Sequence, residues 1–176
     1  VTGAERAARL IEQMLTLARL ESGQGAGATQ SVPLRALARA VLADAAPFAH
    51  GKDIDLELAE GAETVAPGHP GLLGILLRNL VDNAVRYTPA GGKVRVAVRA
   101  DGGSARLEVT DNGPGVPPQE LARLGERFHR LAAAGESGSG LGLSIVLRIA
   151  ELHRGRVRFA AGPGDAGLAV SVELPR

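Results

Sequence analysis

The first twenty-two residues repeat apolar positions at helical spacing. The apolar side chains recur three or four positions apart, at Ala7, Leu10, Met14 and Leu17. This spacing predicts an amphipathic helix of about five turns over 6–22, and Thr2 with Glu5 predicts a capping box at its start. Residues 23–29 are rich in Gly and predict a flexible linker. The helix is therefore interpreted as one helix of a bundle, separate from the next domain; the alternative is a helix that covers the core of its own domain.

Downstream, two kinds of apolar periodicity alternate along the chain. Spacings of three and four predict helices over 34–49, 71–87, 117–124 and 141–152. Alternation of apolar and polar residues predicts strands over 54–58, 94–98, 107–109, 157–159 and 168–172. The turn at 101–103 joins two of these strands in a hairpin, and the last two strands form a closing hairpin. Because helices separate the hairpins, the order predicts a two-layer α/β (α+β) sandwich, with a mixed sheet and helices on one face.

Composition narrows the function classes. The 176 residues carry 20 Lys and Arg against 19 Asp and Glu, a net charge of +1, so we expect no nucleic-acid partner. The absence of cysteine excludes a disulfide framework, a thiolate metal site and a thiol nucleophile. No apolar run approaches the ~20 residues that span a bilayer. A link to a membrane would therefore run only through segments upstream of this sequence.

A first polar cluster lies inside the predicted helix 71–87. Asn79 and Asn83 are one helical turn apart and project from the same face, and Arg86 and Tyr87 extend that face by another turn. An amide oxygen is a neutral hard ligand, which suits Mg²⁺ when phosphates supply the negative charge. Arg86 adds a cation for phosphate. The alternative is that the two Asn decorate a surface helix, although Asn is a mediocre helix former.

A second cluster follows the predicted strand 107–109. It places the carboxylate of Asp111 at a strand end, with Gly113 and Gly115 behind it. Glycines let a ligand approach the backbone closely, and a carboxylate there can accept a hydrogen bond from a ring amine. The alternative is an ordinary Asp-Asn-Gly turn.

A third cluster is the glycine-rich run 138–144, which opens the predicted helix 141–152. Such a loop turns backbone amides toward an anion, and the helix N-terminus adds partial positive charge. Residues 132–139 before it have no apolar anchors and predict a lid that can move. The alternative is a flexible linker. The run is neither a dinucleotide fingerprint nor a Walker loop, because no strand feeds it directly and no Gly-Lys-Ser/Thr follows.

In this order the three clusters resemble the N, G1 and G2 boxes of sensor histidine kinases, within a wider family of gyrase, heat-shock chaperone and mismatch-repair ATPases. Residues 125–130 resemble the F box, and 5–22 resemble the second helix of the kinase dimerisation hairpin. The resemblance implies the Bergerat fold: a mixed sheet with three helices on one face, here preceded by one long helix. It divides the chain into an incomplete hairpin (1–22), a linker (23–31) and a catalytic ATP-binding domain (32–176).

The resemblance also implies a role for each residue at the phosphate end of bound ATP. Asn83 would bind Mg²⁺, and Asn79 would support the metal and the phosphates. Arg86 would meet phosphate, and Arg130 would approach the γ-phosphate or the dimerisation helices. Asn79, Arg86 and Arg130 would thus be the catalytic side chains. The backbone amides that bind phosphate would be those of Gly140, Leu141 and Gly142.

At the base end, the resemblance implies that Asp111 accepts a hydrogen bond from the adenine amino group. Tyr87 would line the nucleotide pocket, and Gly113 and Gly115 would shape it. The implied partners are ATP, a response regulator and, in the full-length parent, a second copy of the chain. The implied location is the cytoplasmic portion of a membrane sensor kinase.

The implied activity is transfer of the γ-phosphate of ATP to a His, for relay to an Asp of the response regulator. None of the four His in the sequence lies in the family's acceptor box: His50, His69, His129 and His153. We therefore expect the acceptor on a helix absent from this chain, and no autophosphorylation by the chain alone. The alternative is a nucleotide-driven conformational module or ATPase. Asn79 argues against it, because hydrolysing relatives carry Glu there and an amide cannot take a proton from water.

Overall fold

This computed structural model describes residues 3–21, 28–127 and 139–176, which contain seven strands, five α-helices and one short 3-10 helix, Pro163–Asp165. The helices are α1 (Gly3–Glu21), α2 (Leu34–Gly51), α3 (Pro70–Tyr87), α4 (Pro118–Leu121) and α5 (Gly142–Leu152). The strands are β1 (Gln30–Pro33), β2 (Asp55–Leu58), β3 (Val65–Gly68), β4 (Lys93–Asp101), β5 (Ser104–Asp111), β6 (Arg156–Ala161) and β7 (Leu168–Pro175). Each of these helices is too short or too polar to cross a bilayer.

Five strands form one mixed sheet in the order β2-β4-β5-β7-β6. β2 runs parallel to β4, and the other neighbouring pairs are antiparallel. The predicted hairpin is confirmed, since Asp101 pairs with Ser104 across a turn in which Gly102 and Gly103 have φ of 51° and 102°. These left-handed conformations favour glycine, and they match the twist of the two strands that the turn connects.

Helices α2, α3 and α5 cover one face of this sheet. α2 contacts β2, α3 contacts β5, and α5 contacts β6. Along β5 the buried positions are every second residue, ending at Asp111, as alternation in a half-buried strand requires. Leu76, Leu77 and Ile149 are fully buried between the layers. Burial of each such side chain contributes about 1.5–3 kcal/mol. The predicted two-layer sandwich with a mixed sheet and helices on one face is confirmed.

Two short strands were not predicted from the alternation of residues. β1 and β3 pair antiparallel in a separate ribbon, from Gln30 opposite Gly68 to Pro33 opposite Val65. Each strand has four residues and contains a proline, so neither shows a strand pattern in the sequence. β1 begins inside the segment 23–31 that the sequence analysis assigned to a linker. The predicted helix over 117–124 is shorter in the structure, because only α4 is helical there.

The long first helix contacts the sandwich through its C-terminal half. Leu17 and Leu20 are buried, and α1 packs against α5. Arg148 donates a hydrogen bond to the carbonyl oxygen of Leu20 at 3.5 Å. This part of the helix therefore packs on the sandwich. The rest of the helix differs, since its large apolar residues are exposed: Leu10, Ile11, Met14 and Leu15. The interpretation of 1–22 as one helix of a bundle, separate from the next domain, stays a prediction. The predicted capping box lies outside the described residues and side chains.

Candidate functional site

Helix α3 and the start of α5 bring the first and third polar clusters together. Asn79 and Asn83 are half-buried on the face of α3 that meets α5. A Cβ atom built on Gly142 would lie 3.1 Å from Asn79 Oδ1 and 3.5 Å from Asn83 Nδ2. Asn79 Nδ2 donates to the carbonyl oxygen of Ile75 at 2.8 Å, so its oxygen faces Gly142. Residues 59 or more positions apart thus meet at a single point.

The glycine-rich loop leads into α5 through Gly140 and Leu141. Gly140 has φ of 72°, and Leu141 after it is buried. The Leu141 amide donates to Ser139 Oγ at 3.2 Å, and the Leu141 carbonyl accepts hydrogen bonds from the Ile145 amide and the Ser144 hydroxyl. The first amides of a helix have no partner within the helix and carry partial positive charge. Together with the two asparagines, this end of α5 forms a neutral, hydrogen-bonding surface for an anion.

The carboxylate of Asp111 is buried at the end of β5, with 8% of the residue exposed. Its Oδ1 accepts hydrogen bonds from the Gly113 amide at 2.9 Å and the Leu168 amide at 3.3 Å. Burial raises the pKa of Asp111, and these two amides act in the opposite direction because they stabilise the charged form. Within the described ranges both hydrogen bonds fall on Oδ1, which leaves Oδ2 for a donor on a ligand.

The two predicted glycines beside Asp111 are required by close contacts. A Cβ on Gly113 would lie 2.9 Å from Asp111 Oδ1 and 2.9 Å from the carbonyl oxygen of Tyr87. Gly115 has φ of 75°, and its Cβ would lie 3.2 Å from the carbonyl oxygen of Gly167. The loop after β5 therefore packs on the end of α3, and it joins the second cluster to the first.

Arg86 and Tyr87 lie in the last turn of α3, and both are half-buried. Lys52 holds this end of the helix, because its Nζ donates to the carbonyl oxygens of Val85 at 3.0 Å and Arg86 at 2.7 Å. The buried Thr88 donates to the carbonyl oxygen of Ala84 at 2.7 Å. The last turn of α3 is thus fixed between α2 and the loop after β5. Arg130, the second half of the F-box segment 125–130 and the predicted lid up to residue 138 lie outside the described residues.

A family model described as histidine kinase-, DNA gyrase B-, and HSP90-like ATPase matches residues 68–176. The chain belongs to this family. The matched range contains Asn79, Asn83, Asp111 and the loop before α5. In this ATPase family the chain is similar to the sensor protein QseC of Escherichia coli, with 46% identity over 159 residues, or 90% of this chain and 34% of that protein. The sensor protein kinase PmrB of Pseudomonas aeruginosa is 44% identical over 174 residues, or 98% of this chain and 36% of that protein.

Solved structures of histidine kinases share the fold. The mycobacterial sensor histidine kinase MprB superimposes with a TM-score of 0.74 and 34% identity, over 84% of this chain and 97% of that one. Full-length ShkA, solved in complex with AMPPNP, has a TM-score of 0.80 and 33% identity, over 95% of this chain and 35% of that one. The predicted Bergerat fold is confirmed, and the chain is an ATPase-family domain of the sensor histidine kinase type. It spans about a third of the length of the curated relatives named above.

Several residues that build this ATPase-family site gave no signal in the sequence. Two of them bind carbonyl oxygens of α3: Lys52 binds that of Val85, and Thr88 binds that of Ala84. The other two, Gly167 and Leu168, contact Asp111 from more than fifty residues away in the chain. For Gly167 alone the sequence contains an indication of a special backbone position, because three glycines fall within the short segment 162–167. Two cavities in the described part of the chain, of about 280 and 430 Å³, lie elsewhere, on the open face of the sheet and between α5 and β6.

Proposed function

We propose that this chain is the catalytic ATP-binding domain of a two-component sensor histidine kinase. It transfers the γ-phosphate of ATP to a His on a dimerisation helix that is absent from this chain, for relay to an Asp of a response regulator. The observation that carries the proposal is the meeting of Asn79 and Asn83 with Gly142 at the start of α5. Half-buried side-chain amides beside the N-terminus of a helix are suited to a polyphosphate.

The different chemistry at the two ends of the site determines the orientation of bound ATP. Adenine lies at Asp111, whose Oδ2 accepts the hydrogen bond of the 6-amino group. The phosphates lie at the N-terminus of α5, where the amides of Gly140, Leu141 and Gly142 donate to their oxygens. The Leu141 amide exchanges Ser139 Oγ for a phosphate oxygen when ATP binds. Arg86 supplies a cation near the phosphates, and Tyr87 lines the pocket between the two ends. Arg130 is proposed as the cation that meets the γ-phosphate.

The residues at the phosphate end fit Mg²⁺ on the chemistry of their donors. Asn83 offers an amide oxygen beside Gly142, and the described ranges hold no group of three His, Asp, Glu or Cys that could bind a metal without a ligand. Mg²⁺ takes oxygen ligands and keeps several from substrate phosphates and water. Asn83 would hold it, with Asn79 in support. When bound, Mg²⁺ neutralises charge on the phosphates.

The side chain of Asn79 favours phosphate transfer to a His over hydrolysis of ATP. Its amide has no basicity, and its Nδ2 already donates to Ile75. It therefore orients phosphate or metal ligands but does not deprotonate water. In the proposed reaction the acceptor imidazole attacks the γ-phosphorus, the bond to the β,γ-bridging oxygen breaks, and ADP leaves. The alternative, an ATPase or nucleotide-driven module without His kinase activity, predicts release of inorganic phosphate instead.

The partners follow from the same proposal. The parent protein works as a homodimer through the hairpin to which 1–22 belongs, and it delivers phosphate to a response regulator. The segment 23–31 links that hairpin to the catalytic domain, 32–176. The named relatives are sensor proteins, which supports a cytoplasmic position for this domain beneath a sensor.

Titration with a non-hydrolysable ATP analogue, with and without Mg²⁺, tests the proposal together with an assay of phosphate release. We expect Mg²⁺-dependent binding and very little release. Asn83→Ala should remove the Mg²⁺ dependence, because it deletes the proposed metal ligand. Asp82→Ala is the control, since Asp82 is the exposed neighbour on the same helix. Steady turnover of ATP to inorganic phosphate by the chain alone would support the ATPase alternative and contradict the proposal.

A further inference from the structure

The turn between β6 and β7 closes over Asp111. Gly162 donates a hydrogen bond to the carbonyl oxygen of Gly167 at 3.1 Å, which closes the turn. A Cβ on Gly167 would collide with the carbonyl oxygen of Asp111 and lie 2.8 Å from its Oδ1. A Cβ on Gly162 would lie 2.9 Å from the same carbonyl oxygen. The turn thus touches Asp111 at both its backbone and its carboxylate.

This close approach places a donor on the carboxylate. Gly167 has φ of 72°, a left-handed conformation that glycine adopts without strain, and the next amide, that of Leu168, donates to Asp111 Oδ1 at 3.3 Å. The Gly113 amide, in the loop after β5, donates to the same oxygen. Two amides from segments more than fifty residues apart therefore hold one oxygen and fix the rotation of the carboxylate.

We propose that the β6–β7 turn is a positioning element for base recognition: Gly167 brings the Leu168 amide onto Asp111 Oδ1, and Oδ2 is thereby presented to the 6-amino group of adenine. The proposal rests on the proposed function, because it takes Asp111 as the group that binds adenine. Guanine carries an oxygen at the equivalent position, and two acceptors repel each other. The orientation of one carboxylate oxygen therefore sets the preference for adenine over guanine.

The same turn contains a matched control. Gly164 has φ of 71°, close to that of Gly167, but its Cβ would meet nothing within 4 Å. Alanine at either position carries the same left-handed backbone strain, and only Gly167→Ala displaces the turn from Asp111. A difference between the two variants therefore reports contact with Asp111 and not backbone strain.

Binding of ATP and GTP analogues to both variants tests the proposal. We expect Gly167→Ala to lose about tenfold or more in ATP affinity, in line with the loss of a charge-assisted hydrogen bond, with little change for GTP. Gly164→Ala should keep the ATP-to-GTP preference of the unaltered chain. If the unaltered chain binds the two equally, the role of Asp111 in the proposed function is wrong. If it discriminates and Gly167→Ala discriminates as well as Gly164→Ala, the positioning role alone is wrong.

If Gly167→Ala does not fold, a pH titration of the unaltered chain by NMR tests the positioning role instead. The backbone amide shifts of Gly113 and Leu168 should titrate together with Asp111, with one common pKa above the usual range for Asp, because burial raises that pKa. Asp111→Asn should remove both titrations. A Leu168 amide that does not respond to the ionisation of Asp111 would overturn the proposal.

Discussion

The base end of the proposed nucleotide site is formed mainly by backbone groups, and the phosphate end is formed partly by side-chain amides. At the base end, Asp111 is enclosed by backbone, and a Cβ on Gly113, Gly162 or Gly167 would press on carbonyl oxygens. At the phosphate end, a Cβ on Gly142 would meet the amide groups of Asn79 and Asn83 at 3.1–3.6 Å. Backbone atoms in a sheet or a closed turn move little when a methyl group is added beside them, whereas the end of a side chain can rotate away. Changes at the base end should therefore alter which base binds, and changes at the phosphate end should alter the affinity for every nucleotide.

The largest effect is expected at the base end. Asp111→Ala should weaken ATP binding about tenfold to over a hundredfold, because a buried charge-assisted hydrogen bond contributes roughly 1.5–3 kcal/mol. GTP binding should change much less. Glu108→Ala is the control, since Glu108 lies on the same strand and points to the opposite face. Calorimetric titration measures both affinities, and an equal loss for ATP and GTP would contradict the division between the two ends.

A smaller effect is expected at the phosphate end. Gly142→Ala places a methyl group 3.1 Å from Asn79 Oδ1, so this side chain must shift by a few tenths of an ångström. We expect ATP and GTP affinities to fall together by several-fold, with their ratio unchanged. Gly74→Ala on α3 is the control, because its Cβ meets only Leu37 Cδ1 at an ordinary 3.7 Å. A change in the ATP-to-GTP ratio for Gly142→Ala would show that the two ends are not separable.

The smallest effect concerns stability and leaves the base end untouched. The buried His153 ring lies at the end of α5, where its Nε2 accepts a hydrogen bond from the His69 amide at 3.0 Å, so its Nδ1 carries the proton and donates to Ile149 at 2.8 Å. It thereby ties the start of α3 to the end of α5, the two helices of the phosphate end. Burial lowers the pKa of His153, and the nearby His69 ring adds to this effect.

Because the unfolded chain then binds more protons, the free energy of unfolding should fall as the pH drops below about 6.5. Urea denaturation between pH 7 and pH 5 measures this slope. His153→Gln should flatten it, since an amide does not titrate, although the variant is less stable overall. His50→Gln, at an exposed position, should leave the slope unchanged. An equal slope in His153→Gln and the unaltered chain would remove His153 from the explanation.

Local patterns in the sequence predicted the helices and strands that carry the three polar clusters. Asn79 and Asn83 are one helical turn apart, Asp111 ends an alternating strand, and Gly140 opens a helix, so each feature is visible within a few residues. The contacts of Lys52 with Val85 and of Leu168 with Asp111 were not predicted, because they join backbone groups to residues far away in the chain. Secondary structure alone does not indicate which distant groups meet.

The packing of α1 illustrates the same limit. Its apolar stripe was predicted, but Leu17 and Leu20 are buried against α5 while Leu10 and Met14 are exposed. The stripe itself is continuous, so nothing in its spacing marks where burial begins. Only the position of α5, set by the fold of the sandwich, determines which half of the helix is covered.

The proposed function requires this chain to transfer phosphate to a His that it does not contain. Incubating the chain with γ-labelled ATP, Mg²⁺ and a separate fragment that carries the missing acceptor helix tests it most directly. We expect acid-labile label on the added fragment and none on the chain alone, because none of its four His lies in an acceptor box. Asn83→Ala should abolish the transfer. Acid-labile label on the chain by itself, lost when one of its own His is replaced, would show that the acceptor lies within this chain and that the proposed function is wrong on this point.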